Sequence, residues 1–252
     1  MQFKIFKKYN LIQGISDTSF GSIDPTPTDP KLSRKESEKR AIKFLKSLNY
    51  KNINSQNLIF AEQIFSSNVR VCKVKDSGKI IKGVDGFISN IPGQTLVIIT
   101  ADCVPILLFD SKNRAIGVLH GGRKCLIKGI IKNAISKMIL NFKSKPEDIL
   151  VGIAPHIRVC HYWLRERTYR NLKKTSLKRY FLKKKSKIYF DLTKLTFDAL
   201  QKEGIPKENI EYCRICTFCT YKKYFSARKE EEFPRIYPEK NPRFASFIGL
   251  KI

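Results

Sequence analysis

The sequence predicts an α/β fold in which a single domain is built from mixed sheets. Predicted strands and helices follow one another irregularly, without the regular strand–helix–strand spacing that produces a doubly wound parallel sheet. The chain has 252 residues, enough for one substantial hydrophobic core, and its sequence contains no internal repeat. We therefore expect residues 1–252 to form one domain.

The first 50 residues are expected to contain an irregular segment and then a helix. Gly, Ser and Pro are dense in GISDTSFGSIDPTPTDP, so we expect residues 22–33 to form a flexible loop. Ser33 and Glu36 have the spacing of a capping box, in which each side chain binds the backbone N–H of the other residue. Apolar residues then recur at helical spacing in RKESEKRAIKFLKSL, which predicts a helix with one buried face.

Short apolar runs bounded by turn-forming residues predict the strands. They are LIFAEQIF, NVRVCKVK, GFISN, IPGQTLVIITADC, Val104–Phe109, Ile116–Leu119, DILVGIAPHI and NPRFASFIGLKI. Helical spacing predicts a helix over Lys124–Phe142 and another in DLTKLTFDALQKEG, which ends at Gly204. The segment 165–187 is densely basic, which suits either a solvated helix face or a surface that binds a polyanion.

The composition sets limits on partners and location. The formal net charge is +27, from 49 Lys and Arg against 22 Asp and Glu. This excess would attract nucleic acid, but a coding bias toward Lys, Ile, Asn, Phe and Tyr also produces it, and no nucleic-acid-binding motif accompanies it. No apolar stretch is long enough to span a membrane, and the N-terminus lacks the pattern of a signal peptide. We expect a cytoplasmic chain whose seven cysteines are mostly free thiols.

The candidate catalytic pair is Cys103 and His120. Thr100, Ala101, Asp102 and Cys103 follow one apolar run directly, and Ile116–Leu119 leads into His120 and a Gly-Gly turn. The end of a buried strand is a place where a fold can hold a reactive side chain rigidly. We therefore expect the thiol and the imidazole to share one cavity.

TADCVPILLFD and GVLHGG resemble the TADC and HAGWRG motifs of the laccase-domain family, whose members were first named polyphenol oxidases and later purine nucleoside phosphorylases. The resemblance implies a layered α–β–β–α architecture, similar to the catalytic deamidase domain of cytotoxic necrotizing factor. It also implies phosphorolysis of adenosine, inosine or guanosine, with adenosine deamination as a side activity. The implied partners are a purine nucleoside and phosphate, and the chain would be a monomer or a homodimer.

The resemblance further implies a zinc ion, held in the family by a His in a Q-V-H-G segment, the Cys of TADC and the His of HAGW. Cys103 and His120 match the second and third ligands, whereas Phe65 stands at the first and has no donor atom. We expect His161 or Cys160, in GIAPHIRVCHYWL, to supply the third ligand, or else His161 to be a hydrogen-bonded residue beside the pocket. The chain has only three histidines, which cannot build a multicopper oxidase centre.

Several further residues are candidates for binding substrate. Lys124 follows the glycine turn at the start of a predicted helix, where an anion is favoured. Arg228, in a segment resembling the family's F-F-S-Y-R-R, offers a planar fork to phosphate or carboxylate. The matched motifs also place Arg158 and Gln63 among the substrate-binding candidates. Asp102 could orient a ligand or accept a proton, or could cap a turn, and Asp85 in GVDGF is expected near the site.

One more pattern involves cysteines that the resemblance leaves without a role. Cys213, Cys216 and Cys219 have the C-x₂-C spacing of a zinc knuckle, but a complementary second half is missing from the neighbouring sequence. We therefore interpret them as free thiols.

Three functions remain open at this point. The leading hypothesis is a metal-dependent purine nucleoside phosphorylase, impaired where Phe65 replaces a zinc ligand. The second is a metal-free hydrolase or deamidase in which Cys103 is the nucleophile and His120 the base. The third is a pseudoenzyme that binds a polyanionic partner through its basic surface.

Overall fold

The computed structural model describes all 252 residues. The strands are β1 (Leu11–Ile15), β2 (Leu58–Glu62), β3 (Val69–Val71), β4 (Ile80–Lys82), β5 (Gly86–Ser89), β6 (Thr95–Thr100), β7 (Val104–Asp110), β8 (Ala115–Gly121), β9 (Ile149–Ile153), β10 (Phe181–Lys184), β11 (Lys187–Phe190), β12 (Ile210–Tyr212) and β13 (Phe244–Leu250). The helices are α1 (Arg34–Ser47), α2 (Arg123–Ile127), α3 (Ile130–Phe142), α4 (Glu166–Leu172), α5 (Leu192–Lys202) and α6 (Ala227–Glu232).

Two mixed sheets form the centre of the protein. One has five strands in the order β1-β13-β6-β2-β4, and the other has six in the order β12-β9-β7-β8-β5-β3. Each contains both parallel and antiparallel pairs: β6 pairs with β13 antiparallel and with β2 parallel, for example. The predicted mixed-sheet α/β fold is therefore confirmed.

The central strands are buried on both faces, because successive side chains of a strand point in opposite directions. In β6, Leu96 and Ile98 belong to the apolar cluster between the two sheets, whereas Val97 belongs to the cluster beneath α1. In β7, Leu107 faces the other sheet and Leu108 faces the helices of the opposite side. The two sheets therefore pack face to face.

Helices cover the outer face of each sheet. Phe44 and Leu45 of α1 pack on the five-stranded sheet, and Ile131 and Ile135 of α3 pack on the six-stranded sheet. The layers thus run α–β–β–α, in the order that the resemblance implied. The longest helix, α1, has 14 residues, and no helix has the length and apolar content needed to cross a membrane.

The prediction of one helix over Lys124–Phe142 was wrong, because two helices form there and Lys128 and Gly129 lie between them. Gly129 has a φ of 83°, in the left-handed region where an α-helix cannot continue. The break separates α2 from α3, so that α2 begins directly after the end of β8 and α3 lies along the sheet.

The N-terminal loop and helix cap also differ from the sequence pattern. The Ser33 hydroxyl accepts the N–H of Glu36, but the Glu36 carboxylate pairs with Arg40 at 3.1 Å, so only half of the capping box forms. Residues 22–33 have irregular backbone, and the Asp29 carboxylate ties them to the C-terminal segment by accepting the N–H of Lys240 at 2.8 Å.

The basic segment 165–187 is built from several short elements. It contains α4, a 3₁₀ turn at Ser176–Tyr180, and the start of the hairpin formed by β10 and β11. A single solvated helix face, one of the two alternatives for this segment, is therefore not what the structure shows.

Candidate active site

Cys103 and His120 lie together at one end of the six-stranded sheet. Cys103 immediately precedes β7, and His120 is the second-to-last residue of β8. These strands pair antiparallel, with Pro105 opposite His120 and Val104 opposite Gly121. The start of one strand therefore meets the end of its neighbour, and this pairing brings the thiol to the imidazole.

Gly122 leaves the space in which the two groups converge. A Cβ atom at this position would lie 3.3 Å from Cys103 Sγ and also 3.3 Å from His120 Nε2. Carbon atoms normally approach other heavy atoms to about 3.5–4.0 Å, so a side chain here would press on both reactive groups. The glycine thus keeps a gap open beside the thiol and the imidazole.

Asp85 orients the imidazole. The His120 Nδ1 to Asp85 Oδ1 distance is 2.8 Å, and both side chains are buried. Burial disfavours the charged imidazole, but Cys103 and the Asp85 carboxylate outweigh it and raise the pKa of His120 well above 6.5. Burial also acts to raise the pKa of Asp85, yet hydrogen bonds from His120 and Ser66 lower it to about 2. The Asp85 carboxylate thus favours the charged form of the imidazole, and Nε2 lies on the side of the ring next to Cys103.

The same carboxylate holds the loop that carries Phe65. Asp85 Oδ1 accepts the N–H of Phe65 at 3.1 Å, and Oδ2 accepts the N–H and the hydroxyl of Ser66 at 2.6 and 2.7 Å. Phe65 has a φ of 58°, and its ring stands edge-on to His120 with centroids 5.0 Å apart. Asp85 therefore fixes the imidazole and the residue beside it at once.

These groups open into a cavity of about 410 Å³, which we call the site pocket. Pockets that bind small molecules commonly have volumes of roughly 300–1,000 Å³. The lining residues used below are Phe65, Asp102, Cys103, His120, Tyr162, Arg228 and Arg243. The site pocket thus combines a thiol–imidazole pair with two arginines.

Arg228 is held in the site pocket by aromatic side chains. Its guanidinium carbon lies 4.4 Å from the ring centroid of Trp163 and 5.8 Å from that of Tyr162, and Nη1 donates to the carbonyl of Trp163 at 3.1 Å. The side chain is only 13% exposed. Glu231 lies 3.6 Å from Nε, so part of the charge is balanced and the remaining donors are available to an anion.

Asp102 acts as a structural link. Its Oδ1 accepts the Thr217 hydroxyl at 2.6 Å, and its Oδ2 accepts the N–H of Arg228 at 2.7 Å. Burial raises the pKa of Asp102 despite these hydrogen bonds. Both carboxylate oxygens are therefore engaged, and one of them fixes the backbone of Arg228.

Of three further residues predicted to bind substrate, two lie outside the lining of the site pocket and one lies within it. Lys124 lies in α2 and lines a separate basic groove, beside Arg167. Arg158 is outside the lining of the site pocket, and its Nη1 donates to the carbonyl of Arg214 at 3.0 Å. Gln63 does line the pocket, but its amide makes two 2.9 Å hydrogen bonds to the backbone of Ile99. These contacts extend the strand edge and leave Gln63 little capacity for substrate.

His161 lies in a different cluster from Cys103 and His120. Its Nδ1 is 3.3 Å from Cys160 Sγ and 3.3 Å from Cys219 Sγ. The expectation that His161 rotates in as a third ligand is therefore corrected. Cys103 and His120 alone, beside the phenyl ring of Phe65, do not fit the three-ligand set of a catalytic zinc, so we derive no step through zinc at this position.

Two residues that line the site pocket, Tyr162 and Glu231, were not predicted from the sequence. Tyr162 lines the pocket, and its hydroxyl accepts a hydrogen bond from Arg123 Nη1 at 3.0 Å. Glu231 also lines the pocket beside Arg228. The aromatic run HYW next to a matched cysteine could have indicated Tyr162, but no local pattern distinguishes Glu231 from the other acids of α6.

The fold and the site define a layered α/β protein with a thiol–imidazole pair at the floor of an arginine-lined pocket. The chain belongs to the family described as multi-copper polyphenol oxidoreductase laccase, whose model matches residues 13–251. Among curated relatives, a purine nucleoside phosphorylase of Bacteroides thetaiotaomicron is 31% identical over 60% of this chain and 57% of its own length. The purine nucleoside phosphorylase YlmD of Bacillus subtilis is 26% identical over 79% of this chain and 73% of its own length.

Solved structures share the fold over almost the whole chain. YlmD from Geobacillus stearothermophilus superimposes with a TM-score of 0.84 and 20% identity, covering 99% of this chain and 94% of that one. The YfiH protein of Bacillus licheniformis gives a TM-score of 0.83 and 23% identity, covering 98% and 94%. By contrast, the match to the mouse purine nucleoside phosphorylase LACC1 spans 52% of that protein.

The positions of the histidines do not suit the copper chemistry in the family's description. His156 is buried with Nδ1 donating to the Ala154 carbonyl and Nε2 accepting from the Thr193 hydroxyl, and burial lowers its pKa to about 4. His120 is paired with Asp85, and His161 lies among cysteines. Each of the two clusters of potential metal ligands contains a single histidine, whereas a multicopper centre needs several imidazoles.

Proposed function

We propose that this chain cleaves purine nucleosides by phosphorolysis in the site pocket. The observation that carries the proposal is the His120 imidazole, bound by Asp85 and lining a pocket that Arg228 also lines. The names of the curated relatives support the same reaction class. Adenosine, inosine and guanosine are the proposed substrates, with adenosine deamination as a side activity.

The arginines of the pocket would bind phosphate. Arg228 is kept in place by Trp163 and by its own backbone bond to Asp102, so little side-chain freedom is lost when an anion binds. Arg243 lines the same pocket and adds a second positive charge. This arrangement would hold phosphate with one oxygen directed at the sugar.

His120 would supply the proton that the departing base needs. A phosphate oxygen forms a bond to the anomeric carbon, the bond from that carbon to the purine nitrogen breaks, and its electron pair moves into the purine ring. The proton on His120 Nε2 neutralises that charge, giving free purine and ribose 1-phosphate. Because the pKa of His120 is raised, the imidazole carries this proton at neutral pH.

An assay of purified protein tests this proposal. We expect phosphate-dependent release of purine base and formation of ribose 1-phosphate from at least one of the three nucleosides. Arg228→Lys should raise the KM for phosphate roughly 10- to 100-fold, since a stacked, forked contact to an anion is lost. Lys124→Ala is the matched control, because Lys124 lies in the other groove and its loss should leave the kinetics unchanged.

An absence of phosphate-dependent turnover with all three nucleosides would contradict phosphorolysis. Equal effects of the two substitutions would contradict the role given to Arg228.

The spatial arrangement of the site also favours a second candidate function, a thiol-dependent hydrolase or deamidase. Cys103 lies beside the His120 imidazole, and Asp85 binds the other nitrogen of that ring. In this reaction the thiolate attacks an amide carbonyl, the C–N bond breaks, and the amine leaves with the proton of His120. Water then hydrolyses the thioester. Such chemistry would agree with the proposed likeness to the toxin deamidase domain, and it needs no zinc.

Iodoacetamide labelling separates the two candidates. A thiol nucleophile predicts that Cys103 is alkylated faster at neutral pH than Cys213, which is likewise part-buried, with no change when a chelator is present. The measurement is peptide mass spectrometry over a time course. Slow alkylation of Cys103 that chelator accelerates would indicate a protected metal ligand and would contradict the thiol enzyme.

A further inference from the structure

Four metal-ligating side chains converge at a place away from the site pocket's reactive pair. The segment after β9 lies beside the segment after β12, where His156 and Cys216 form an isolated parallel bridge. The N–H of Thr217 donates to the carbonyl of His156 at 3.1 Å. This contact brings Cys160 and His161 of one segment to the cysteines of the other.

The ligand atoms of this cluster are close to one another. Cys160 Sγ lies 3.6 Å from Cys216 Sγ and 4.0 Å from Cys219 Sγ. His161 Nδ1 lies 3.3 Å from both Cys160 Sγ and Cys219 Sγ. All four ligand atoms are within 4.8 Å of one another.

These separations are those of a tetrahedral zinc site. Zn–S bonds of about 2.3 Å and Zn–N bonds of about 2.0–2.1 Å place neighbouring sulfurs about 3.8 Å apart, and a sulfur and a nitrogen about 3.6 Å apart. The sulfurs are too far apart for a disulfide, whose S–S bond is about 2.05 Å. We infer that Cys160, His161, Cys216 and Cys219 bind one zinc ion as a closed Cys₃His site.

The surroundings of the cluster suit a bound metal. The N–H of Arg158 donates to Cys216 Sγ at 3.5 Å, a contact that stabilises a metal thiolate. The ring of His161 stacks on Phe218 with centroids 4.2 Å apart and planes 14° apart, which fixes the orientation of the imidazole. Cys213 has C-x₂-C spacing to Cys216 but is not a member of the cluster.

This zinc would be structural, because four protein ligands leave no open position for water or substrate. The zinc would link the segment after β9 to the segment after β12, which are otherwise joined only by non-covalent contacts. One leads directly into Tyr162 and Trp163, which contact Arg228, and the other leads toward α6, where Arg228 lies. The inference does not depend on the proposed function, because it concerns a different set of residues.

Metal analysis of the purified full-length chain tests the inference. We expect about one zinc per chain in the wild type, loss of that zinc in Cys219→Ala, and retention in His161→Cys, which substitutes one zinc ligand for another. Cys213→Ala is the matched control and should retain zinc. Replacing zinc with Co²⁺ should give the thiolate charge-transfer band and the intense visible bands of a tetrahedral site in the wild type and not in Cys219→Ala. Thermal unfolding should show a lower Tm for Cys219→Ala, matched by chelator treatment of the wild type.

Cys219 is exposed, so its substitution should leave the chain folded, and circular dichroism checks this. The inference is overturned if the wild type holds no zinc, or if Cys219→Ala and Cys213→Ala hold as much as the wild type. Loss of the zinc in Cys103→Ser would place it in the site pocket and overturn the inference as well. So would the mass deficit of a disulfide in the wild-type chain under non-reducing conditions.

Discussion

Asp85→Asn is expected to lower the rate of nucleoside cleavage roughly 10²- to 10⁴-fold, the range over which a positioned general acid contributes to catalysis. The carboxylate accepts hydrogen bonds on both oxygens, from His120 and Phe65 on Oδ1 and from Ser66 on Oδ2. An amide has only one acceptor oxygen, so in either orientation its NH₂ group faces a donor. The imidazole and the loop therefore cannot both remain in place.

The pH dependence of the rate gives this prediction a signature that a purely structural defect would not produce. In the wild type the raised pKa of His120 keeps the imidazole protonated above pH 6.5, so activity should fall only as the pH rises through that higher value. Without the carboxylate, burial and the neighbouring cysteines still act on the imidazole, but one of the groups that raise its pKa is lost, so the pKa falls. We expect the alkaline limb of kcat against pH to move to lower pH in Asp85→Asn.

The same substitution should destabilise the fold in a pH-dependent way. The pKa of Asp85 is lowered from 3.8 to about 2, which corresponds to a contribution of about 2 kcal/mol to the free energy of unfolding. That contribution is fully present above pH 3.8 and is lost as the pH falls toward 2. The contribution of His120, whose pKa is raised, is fully present below pH 6.5 and is lost as the pH rises through its folded-state pKa. The difference between wild type and variant, measured by urea unfolding, should therefore be largest at about pH 4–6.5.

Asp110→Asn is the matched control for these measurements. Asp110 is also fully buried and accepts backbone and side-chain hydrogen bonds in a turn, from Lys112 and Asn113, but it has no histidine partner. It should lower stability without moving the pH profile. An unshifted alkaline limb in Asp85→Asn would contradict the proton-donating role of His120.

Local sequence patterns were sufficient for most of the fold because most of its elements are buried in a regular way. The apolar runs of β6 and β7 indicate strands buried on both faces, and α1 shows its buried side at helical spacing. The sequence pattern failed at Gly129, where a single positive φ angle ends one helix before the next begins. It also failed in the hairpin of β10 and β11, where many charged residues obscure the alternation of apolar and polar side chains that marks a strand.

The site was predictable only in part, for a related reason. Cys103 and His120 stand at strand ends, which a sequence shows. The bond from Asp85 to His120 depends instead on the pairing of β5 with β8, in which Gly86 lies opposite Leu119. The same holds for the cysteine cluster, whose second half lies in a distant segment and is brought to Cys216 by tertiary contact. Long-range pairing has no signature in a single sequence.

Phe65→His is expected to create a metal site in the site pocket. The Phe65 ring already stands 5.0 Å from the His120 ring, centroid to centroid, and 47% of the residue is exposed. Its backbone N–H is bound by Asp85 whatever the side chain, and an imidazole is smaller than a phenyl ring, so the substitution requires no repacking. It would add a third donor to Cys103 and His120, which completes the ligand number of a catalytic zinc site.

We therefore expect Phe65→His to bind one zinc ion more per chain than the wild type. Measuring both proteins in the Cys219→Ala background removes the contribution inferred for the cysteine cluster, so the added ion can be assigned to the pocket. Ile64→His is the matched control, since Ile64 is a similarly exposed neighbour that does not line the site pocket. Equal zinc content in Phe65→His, Ile64→His and the wild type would show that the loop does not present this position to Cys103 and His120.

The activity of Phe65→His then distinguishes a metal-free reaction in the wild type from the loss of a metal-dependent one. If the phosphorolysis proposed for the wild type uses the proton on His120 Nε2, the added zinc should lower the rate strongly, because a zinc-bound imidazole has given up that proton. If instead turnover appears only when the imidazole at position 65 and zinc are both present, the wild-type chain has lost the metal-dependent chemistry. In that case Asp85, which binds both His120 and the backbone of Phe65, would have preserved the geometry of the site after its third ligand was replaced.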